Sequence, residues 1–280
     1  MLRTGAARVL DARDLDEVMA LLAIDPVTDT FVASRVEAAG LDPWRLGAEM
    51  WGFGPPGKLE SLCYSGANLV PVQAGTDAVR AFADRARRQG RRCSSIVGPA
   101  PAVLELWRLL LPHWGRAREV REIQPLMSID TPPRLAPDPE VRLVQPDELA
   151  VLMPACIEMF TEEVGVSPLV GDGGSLYRAR VEELIATGRA FARVEDGRVA
   201  FKAEIGAATK AACQVQGVWV HPSLRRRGIG TAGMSAVVVA AQASVAPVVS
   251  LYVNDFNVAA RRSYKKVGFK EVGTFASVLF

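Results

Sequence analysis

The sequence has few of the residues that build disulfide frameworks or metal sites. Its four cysteines, Cys63, Cys93, Cys156 and Cys213, lie far apart and form no Cys-x-x-Cys pair, and only two histidines are present. This spacing favours reduced thiols in a cytoplasmic protein. It also gives no cluster of the kind that binds zinc, so we predict no metal cofactor.

A strong charge imbalance is also missing. The chain has 33 Lys and Arg against 31 Asp and Glu, which leaves a net charge of +2. A dedicated nucleic-acid binder needs a strongly basic surface. We therefore predict no nucleic-acid partner.

The N-terminal residues show no apolar stretch long enough for a secretory signal. One run, between Arg227 and Asp255, has no charged residue and is long enough to cross a bilayer. Gln242, several serines and Pro247 interrupt it. We interpret the run as a buried helix followed by a strand and predict no membrane segment.

Proline is concentrated in one stretch that divides the chain. Residues 131–140 read Thr-Pro-Pro-Arg-Leu-Ala-Pro-Asp-Pro-Glu, which has too many prolines for a helix or a central strand. A length of 280 residues suits two domains of ordinary size. We predict domains at 1–130 and 141–280, joined by an extended linker at 131–140.

The C-terminal half has the pattern of an α/β (α+β) domain. Three strands come first, two of them joined by the hairpin signal Asp196-Gly197, and a strand–helix–strand–helix order follows a glycine-rich turn. This order predicts a mixed, mostly antiparallel central sheet flanked by helices, with one parallel step. The predicted elements are strands at 141–144, 191–195, 199–205, 212–220 and 248–253, helices at 146–160, 176–187, 230–243 and 257–267, a loop at 161–174 and a strand pair around 271–279.

The N-terminal half repeats this order of elements without repeating its residues. We predict a degenerate copy of the same fold in tandem, and because it has no Arg-x-x-Gly-x-Gly we expect it to bind no cofactor. Its predicted elements are strands at 8–10, 46–53, 59–64, 68–73, 93–97 and 122–129 and helices at 14–23, 30–39, 77–89 and 100–111.

The segment 216–231 carries the clearest chemical signal. A strand ends at Val220, and Gly228 and Gly230 precede a long apolar helix. Glycine lets backbone N–H groups approach a ligand closely, and the start of a helix attracts anions. The three arginines at 225–227 add positive charge around the same place. We predict a pyrophosphate site in this turn.

The same turn resembles the signature of the GCN5-related N-acetyltransferase (GNAT) family. The run Arg225-Arg226-Arg227-Gly228-Ile229-Gly230 matches Arg/Gln-x-x-Gly-x-Gly/Ala and follows the Val-x-Val of Val218-Trp219-Val220. A second block, from Leu251 to Phe269, matches the family's Asn, Ala and Tyr-x-x-x-Gly-Phe in order. The resemblance covers residues 141–280 and implies the GNAT fold.

The resemblance also implies acetyl-CoA, or another acyl-CoA, as co-substrate. Backbone groups along 218–220 are then expected to pair with its pantetheine arm, and the amides of Arg225 to Thr231 to hold its pyrophosphate. Asn254 and Asn257 are expected beside the pantetheine. Tyr264 is expected to protonate the departing thiolate, because a phenol keeps its proton at neutral pH. A packing role for Tyr264 and a turn role for Asn254 are the alternatives.

The general base has no single candidate. Many family members have a glutamate on the strand before the turn, where this sequence has Gln214 and Gln216. Glu204 on the neighbouring strand remains, as do Glu162 and Glu163 in the predicted loop. For Glu162 and Glu163 the alternative is a purely solvent-facing role.

These expectations combine into transfer of an acetyl or short acyl group to a primary amine by direct attack in a ternary complex. The sequence shows no nucleophilic Ser or Cys beside a base, so we predict no covalent acyl-enzyme. The acceptor is either a small-molecule amine, as in tandem mycothiol-synthase-like proteins, or a protein amine. A non-catalytic acyl-CoA sensor is the alternative, whereas a P-loop is excluded because Gly-Lys-Ser/Thr is missing. The oligomeric state is not indicated.

Overall fold

A computed structural model describes residues 5–55, 57–171 and 173–280 of the chain. These residues form two compact units. Unit 1 holds the described residues up to Met127 together with Tyr252–Phe256 and Glu271–Phe280, and unit 2 holds Ser128–Leu251 and Asn257–Lys270. The domain limits 1–130 and 141–280 stay a prediction.

Strands and helices alternate along the chain much as the sequence predicts. The strands are β1 (Arg8–Val9), β2 (Glu49–Phe53), β3 (Ser61–Ser65), β4 (Asn68–Val72), β5 (Ser95–Pro99), β6 (Glu119–Ile129), β7 (Arg142–Leu143), β8 (Ala190–Glu195), β9 (Arg198–Ala208), β10 (Ala212–Val220), β11 (Val248–Tyr252) and β12 (Lys270–Leu279). The helices are α1 (Leu15–Leu22), α2 (Thr30–Ala39), α3 (Pro43–Leu46), α4 (Thr76–Gln89), α5 (Ala100–Trp114), α6 (Leu149–Val164), α7 (Ser175–Ala186), α8 (Ile229–Ser244) and α9 (Val258–Val267).

In unit 1 the strand order is β1-β2-β3-β4-β5-β12-β6. Strands β4 and β5 are parallel, while β12 runs antiparallel to β5, which explains why the last strand is grouped with unit 1. One core cluster takes Phe82 from α4 and Leu106 from α5, and a second takes Val18 from α1 and Val36 from α2. Burial of these apolar faces is the main stabilising contribution to the unit.

In unit 2 the strand order is β11-β10-β9-β8-β7. The pairs are antiparallel apart from the parallel pair β10–β11. Helices α6 and α7 contribute Leu152 and Val181 to the core that covers β8 and Trp219 of β10. Helix α8 lies very close to β9, since a Cβ on Gly233 would be 2.9 Å from the Phe201 ring.

Several predicted boundaries were wrong, each for a local reason. Glu162 and Glu163 lie in the last turn of α6 and not in a loop. The helix ends at Gly165, whose φ of 78° suits a glycine cap, and not at Thr161, whose hydroxyl donates to the Ile157 carbonyl at 2.7 Å. The strand pair expected around 271–279 is the single strand β12.

The predicted strand 46–53 begins as a helix. Asp42 caps α3 by accepting from two backbone N–H groups, and Pro43 occupies the first helical position, where its missing N–H has no cost. Residues 131–140, the predicted linker, contain no helix or strand. Its Asp138 is buried, accepts from Arg193 Nη1 at 2.7 Å and donates its N–H to the Ala232 carbonyl at 3.0 Å.

Candidate active site

The turn between β10 and α8 contains two residues in the left-handed region of φ. Arg226 has a φ of 65° and Gly228 a φ of 83°, and Gly228 is the N-cap of α8. In the described part of the chain, no hydrogen bond engages the N–H groups of residues 226–230. Unpaired N–H groups beside residues at positive φ and at a helix start are the usual setting of anion-binding sites.

The arginines of this turn are not equivalent. Arg225 Nε donates to the Val220 carbonyl at 3.0 Å, and its Nη2 pairs with Glu162 Oε2 at 2.8 Å. Both side chains of that ion pair are more than 40% exposed, so the pair adds little stability.

Strand β10 parts from its neighbours just before the turn. Its parallel register with β11 covers Ala212 to Gln214, and its antiparallel register with β9 shifts between Gln216 and Trp219. Gly217 sits in that bulge with a φ of 59°. A bulge leaves residues outside the ladder, so backbone groups near Val218 are available to a ligand.

A buried polar group lies beneath the bulge. Lys202 Nζ donates to Glu204 Oε2 at 3.1 Å, and Gln216 Nε2 donates to Glu204 Oε1 at 2.9 Å. Lys202 is 1% exposed, and the Cys156 thiol is within hydrogen-bonding reach of it. A Cβ on Gly217 would be 3.0 Å from Lys202 Nζ, so the bulge packs directly on this group.

Charge pairing, and not burial, decides the ionisation of Lys202 and Glu204. Burial alone would raise the pKa of Glu204, but the charge of Lys202 and the hydrogen bonds from Gln216 and Lys202 outweigh it and lower that pKa. Burial likewise opposes the charge on Lys202, yet Glu204 raises the pKa of Lys202 overall. Both groups are therefore ionised at neutral pH, and Glu204 is a weak proton acceptor.

Tyr264 lies on α9 and is 7% exposed. Burial raises its pKa, and the negative charge of Glu163 adds to the rise. Tyr177 of α7 is raised in pKa by burial too, with contributions from Cys156, Glu204 and Glu163. The charge of Glu163 therefore raises the pKa of both tyrosines, and that of Glu204 raises the pKa of Tyr177.

The two predicted asparagines have local partners. Asn257 caps α9 by accepting from the Ala260 N–H at 3.1 Å. Asn254, which belongs to unit 1, accepts from Gln124 Nε2 at 2.8 Å. Ser277 in turn donates to Gln124 Oε1 at 2.6 Å.

Sequence reasoning missed Lys202, Cys156 and Tyr177. A signal for Lys202 was present, because Phe201-Lys-Ala-Glu-Ile205 alternates charged and apolar residues along one strand. Among residues 5–55, 57–171 and 173–280, no group of three or more His, Cys, Asp or Glu side chains could hold a metal. No helix in those ranges is both long and apolar enough to cross a membrane.

Two segments of the sequence match known families. Residues 159–269 match the Acetyltransferase (GNAT) family, and residues 48–152 match a Domain of unknown function (DUF4081). No curated protein matches the chain significantly.

Solved structures resemble the whole chain. A GCN5-related N-acetyltransferase from Sphaerobacter thermophilus has a TM-score of 0.60 at 20% identity and covers 100% of this chain and 96% of its own. A GNAT-family acetyltransferase from Colwellia psychrerythraea has a TM-score of 0.56 at 14% identity, with coverages of 98% and 99%. A tandem GNAT protein from the clavulanic acid biosynthesis pathway has a TM-score of 0.56 at 15% identity, with 98% of each chain covered. Such identities establish the fold alone, and the mixed sheet flanked by helices predicted from the sequence is confirmed.

Proposed function

We propose that this chain, which carries a GNAT acetyltransferase domain at residues 159–269 as its motifs predicted, transfers an acetyl or short acyl group from acyl-CoA to a primary amine. The proposal is carried by the turn before α8, where the N–H groups of residues 226–230 have no partner within the described ranges. Three arginines at 225–227 flank these N–H groups. A dianionic diphosphate is the chemistry that such a turn suits.

The residues present fit coenzyme A. The unpaired amides of the turn and the positive end of α8 suit its pyrophosphate. A Cβ on Gly230 would be 3.1 Å from Val220 Cγ2, so a larger residue there would push the turn away from β10. Backbone groups of Val218, Trp219 and Val220, beyond the parallel register with β11, suit the amides of a pantetheine arm.

Bound acyl-CoA would supply an activated carbonyl and a thiolate leaving group. Backbone N–H groups near the Gly217 bulge would stabilise the oxyanion that develops during attack. Tyr264 holds its proton at neutral pH because burial raises its pKa, which suits a general acid. Asn254 and Asn257 remain proposed neighbours of the pantetheine.

Of the three candidate bases, Glu163 suits the role best. Glu204 is a weak acceptor because the charge of Lys202 lowers its pKa. Glu163 is solvent-accessible and its charge acts on Tyr264. We assign proton removal from the acceptor amine to Glu163 because its charge acts on both tyrosines. The rest of the rate acceleration would come from positioning the amine against the thioester.

Thiol release from acetyl-CoA with a panel of primary amines tests the proposal. Tyr264→Phe is expected to lower kcat by about 100-fold or more while the Kd for acetyl-CoA stays unchanged. Tyr252→Phe, at a tyrosine that is 37% exposed and packs on Phe275, is the matched control and should retain activity. Acetyl-CoA binding without thiol release for any amine would contradict the proposal and identify a sensor instead.

A further inference from the structure

The side chain of Gln216 lies as a cover over Glu204. Gln216 is exposed to solvent, whereas Glu204 is 8% exposed. Gln216 Nε2 donates a hydrogen bond to Glu204 Oε1 at 2.9 Å, and Lys202 Nζ donates one to Glu204 Oε2 at 3.1 Å. Removing Gln216 would therefore open one carboxylate oxygen and leave the other held.

Gly206 leaves the space in which the Gln216 side chain lies over Glu204. A Cβ on Gly206 would overlap the Gln216 amide and would be 2.9 Å from its Cγ. The φ of Gly206 is not in the left-handed region, so the backbone itself accepts alanine there. A glycine is thus needed at position 206 because of the Gln216 side chain and not because of the local backbone conformation.

The position of this cover links it to the reaction proposed above. Gln216 directly precedes the bulge residue Gly217, where β10 leaves its ladder with β9. Glu204 also contributes to the electrostatic environment of Tyr177, which Glu163 shares. An acceptor placed near the bulge would therefore meet Gln216 first.

A neutral amide is the weaker of two possible donors to this carboxylate. An ammonium group in the same place would form a charge-assisted hydrogen bond, which is shorter and stronger than the one from an amide. Lys202 keeps Glu204 ionised, so the carboxylate is ready to receive a cation.

We propose that the Gln216 amide is a removable stand-in for the acceptor nitrogen: a primary ammonium displaces it and binds Glu204 Oε1. Glu204 is then the residue that anchors the amine, while proton removal belongs to Glu163. This inference rests on the proposed acyltransferase function and names its acceptor subsite.

Steady-state kinetics that vary the amine and acetyl-CoA separately test the stand-in. Gln216→Ala and Gly206→Ala are both expected to lower KM for the amine by about 3- to 10-fold, the effect of one hydrogen bond, with KM for acetyl-CoA unchanged. A rise in amine KM in Gln216→Ala would overturn the inference, because Gln216 would then bind the acceptor itself.

The anchoring role of Glu204 has its own variants. Glu204→Gln is expected to raise amine KM by about 100-fold, with acetyl-CoA affinity retained. Because it leaves the Lys202 charge buried and unpaired, the double variant Lys202→Met/Glu204→Gln is measured as well and should show the same amine defect. Unchanged amine KM in the folded double variant would overturn the anchor.

A measurement that needs no turnover separates the covering of Glu204 by Gln216 from the proposed acyl transfer. Labelling of Glu204 by a water-soluble carbodiimide, followed by mass spectrometry, is expected to be faster in Gln216→Ala and Gly206→Ala than in the unmodified protein. Faster labelling together with no thiol release would contradict the proposed function but keep the cover. Equal labelling rates would overturn the cover while leaving acyl transfer intact.

Discussion

Units 1 and 2 each contain a pair of parallel strands joined through a turn and a helix, but the two turns differ. In unit 1 only residues 73–75 separate β4 from α4, and in unit 2 residues 221–228 separate β10 from α8. The first turn of α4 carries Asp77, whereas the first turn of α8 has no acidic residue. Gly75 has a φ of −76°, and Gly228 a φ of 83°.

The same order of elements therefore supports two different electrostatic situations. The acidic residue at the start of α4 opposes an anion, whereas the arginines and unpaired amides before α8 attract one. The fold supplies a helix start in both units, and we propose that the residues of the turn decide whether it binds phosphate. A second contrast lies in buried charge, because unit 2 buries the ion pair Lys202–Glu204 and unit 1 buries Asp29 with an amide partner, Gln73.

The largest expected effect concerns the buried ion pair of unit 2. Lys202→Met leaves Glu204 buried without its cation, so the free energy of unfolding should fall by about 3–5 kcal/mol. The double variant Lys202→Met/Glu204→Gln should recover most of that loss. Urea denaturation measures both. Equal stability of the single variant and the unmodified protein would mean that the pair is solvated and not buried.

In unit 1 the buried carboxyl of Asp29 has no cation beside it among the described residues, and the free energy of unfolding should depend on its ionisation. Burial raises the pKa of Asp29 from an ordinary 3.8 to about 7, although the hydrogen bond from Gln73 opposes the rise. The folded chain thus favours the protonated acid, and stability is lost as pH rises from about 4 to about 7. Asp29→Asn removes this loss.

The measurement is the unfolding free energy of Asp29→Asn minus that of the unmodified protein. It should grow by about 2 to 3 kcal/mol between pH 5 and pH 7 and change little above pH 8. Asp16→Asn, on the exposed side of α1, is the control. A difference independent of pH would show that Asp29 ionises normally.

The two N-cap glycines give a matched pair. A Cβ on either Gly75 or Gly228 would meet no atom within 4 Å, so only backbone conformation and ligand approach distinguish them. Gly228→Ala strains a left-handed residue and is expected to weaken acetyl-CoA binding by about tenfold. Gly75→Ala should change it less than about twofold. Similar effects in both variants would remove the contrast between the two turns.

The smallest expected effect concerns the exposed pair Arg225–Glu162. Glu162→Gln frees Arg225 for the anion and should strengthen acetyl-CoA binding by about two- to threefold, more at low salt than at high salt. Glu105→Gln breaks an exposed pair of the same kind in unit 1, with Arg108, and is the control. A large fall in kcat for Glu162→Gln would instead restore Glu162 as a candidate base.

Much of unit 2 was predictable because its signals are local. The Asp196-Gly197 hairpin fixes β8 and β9, and the glycines before α8 mark the only turn of the sequence with the Arg-x-x-Gly-x-Gly pattern. Helix α3 was missed although Asp42-Pro43 is a helix-start signal, since four residues are too few to show a period.

The buried part of the site was harder to predict. Hydrophobic periodicity shows which face of a strand is apolar, but it does not show that Lys202 pairs with Glu204 two residues along the same face. Nor does it show that Gln216, from the next strand, completes that pair. Such contacts depend on the register of β9 and β10 and on the bulge at Gly217, which are tertiary features.

Calorimetric titration of the purified protein with acetyl-CoA tests the central claim most directly. The contrast between the two turns predicts one binding site per chain, and replacement of both Gly228 and Gly230 by valine should abolish it. Two sites per chain, no binding at all, or unchanged affinity in the double-valine variant would contradict the assignment of the coenzyme to the turn before α8.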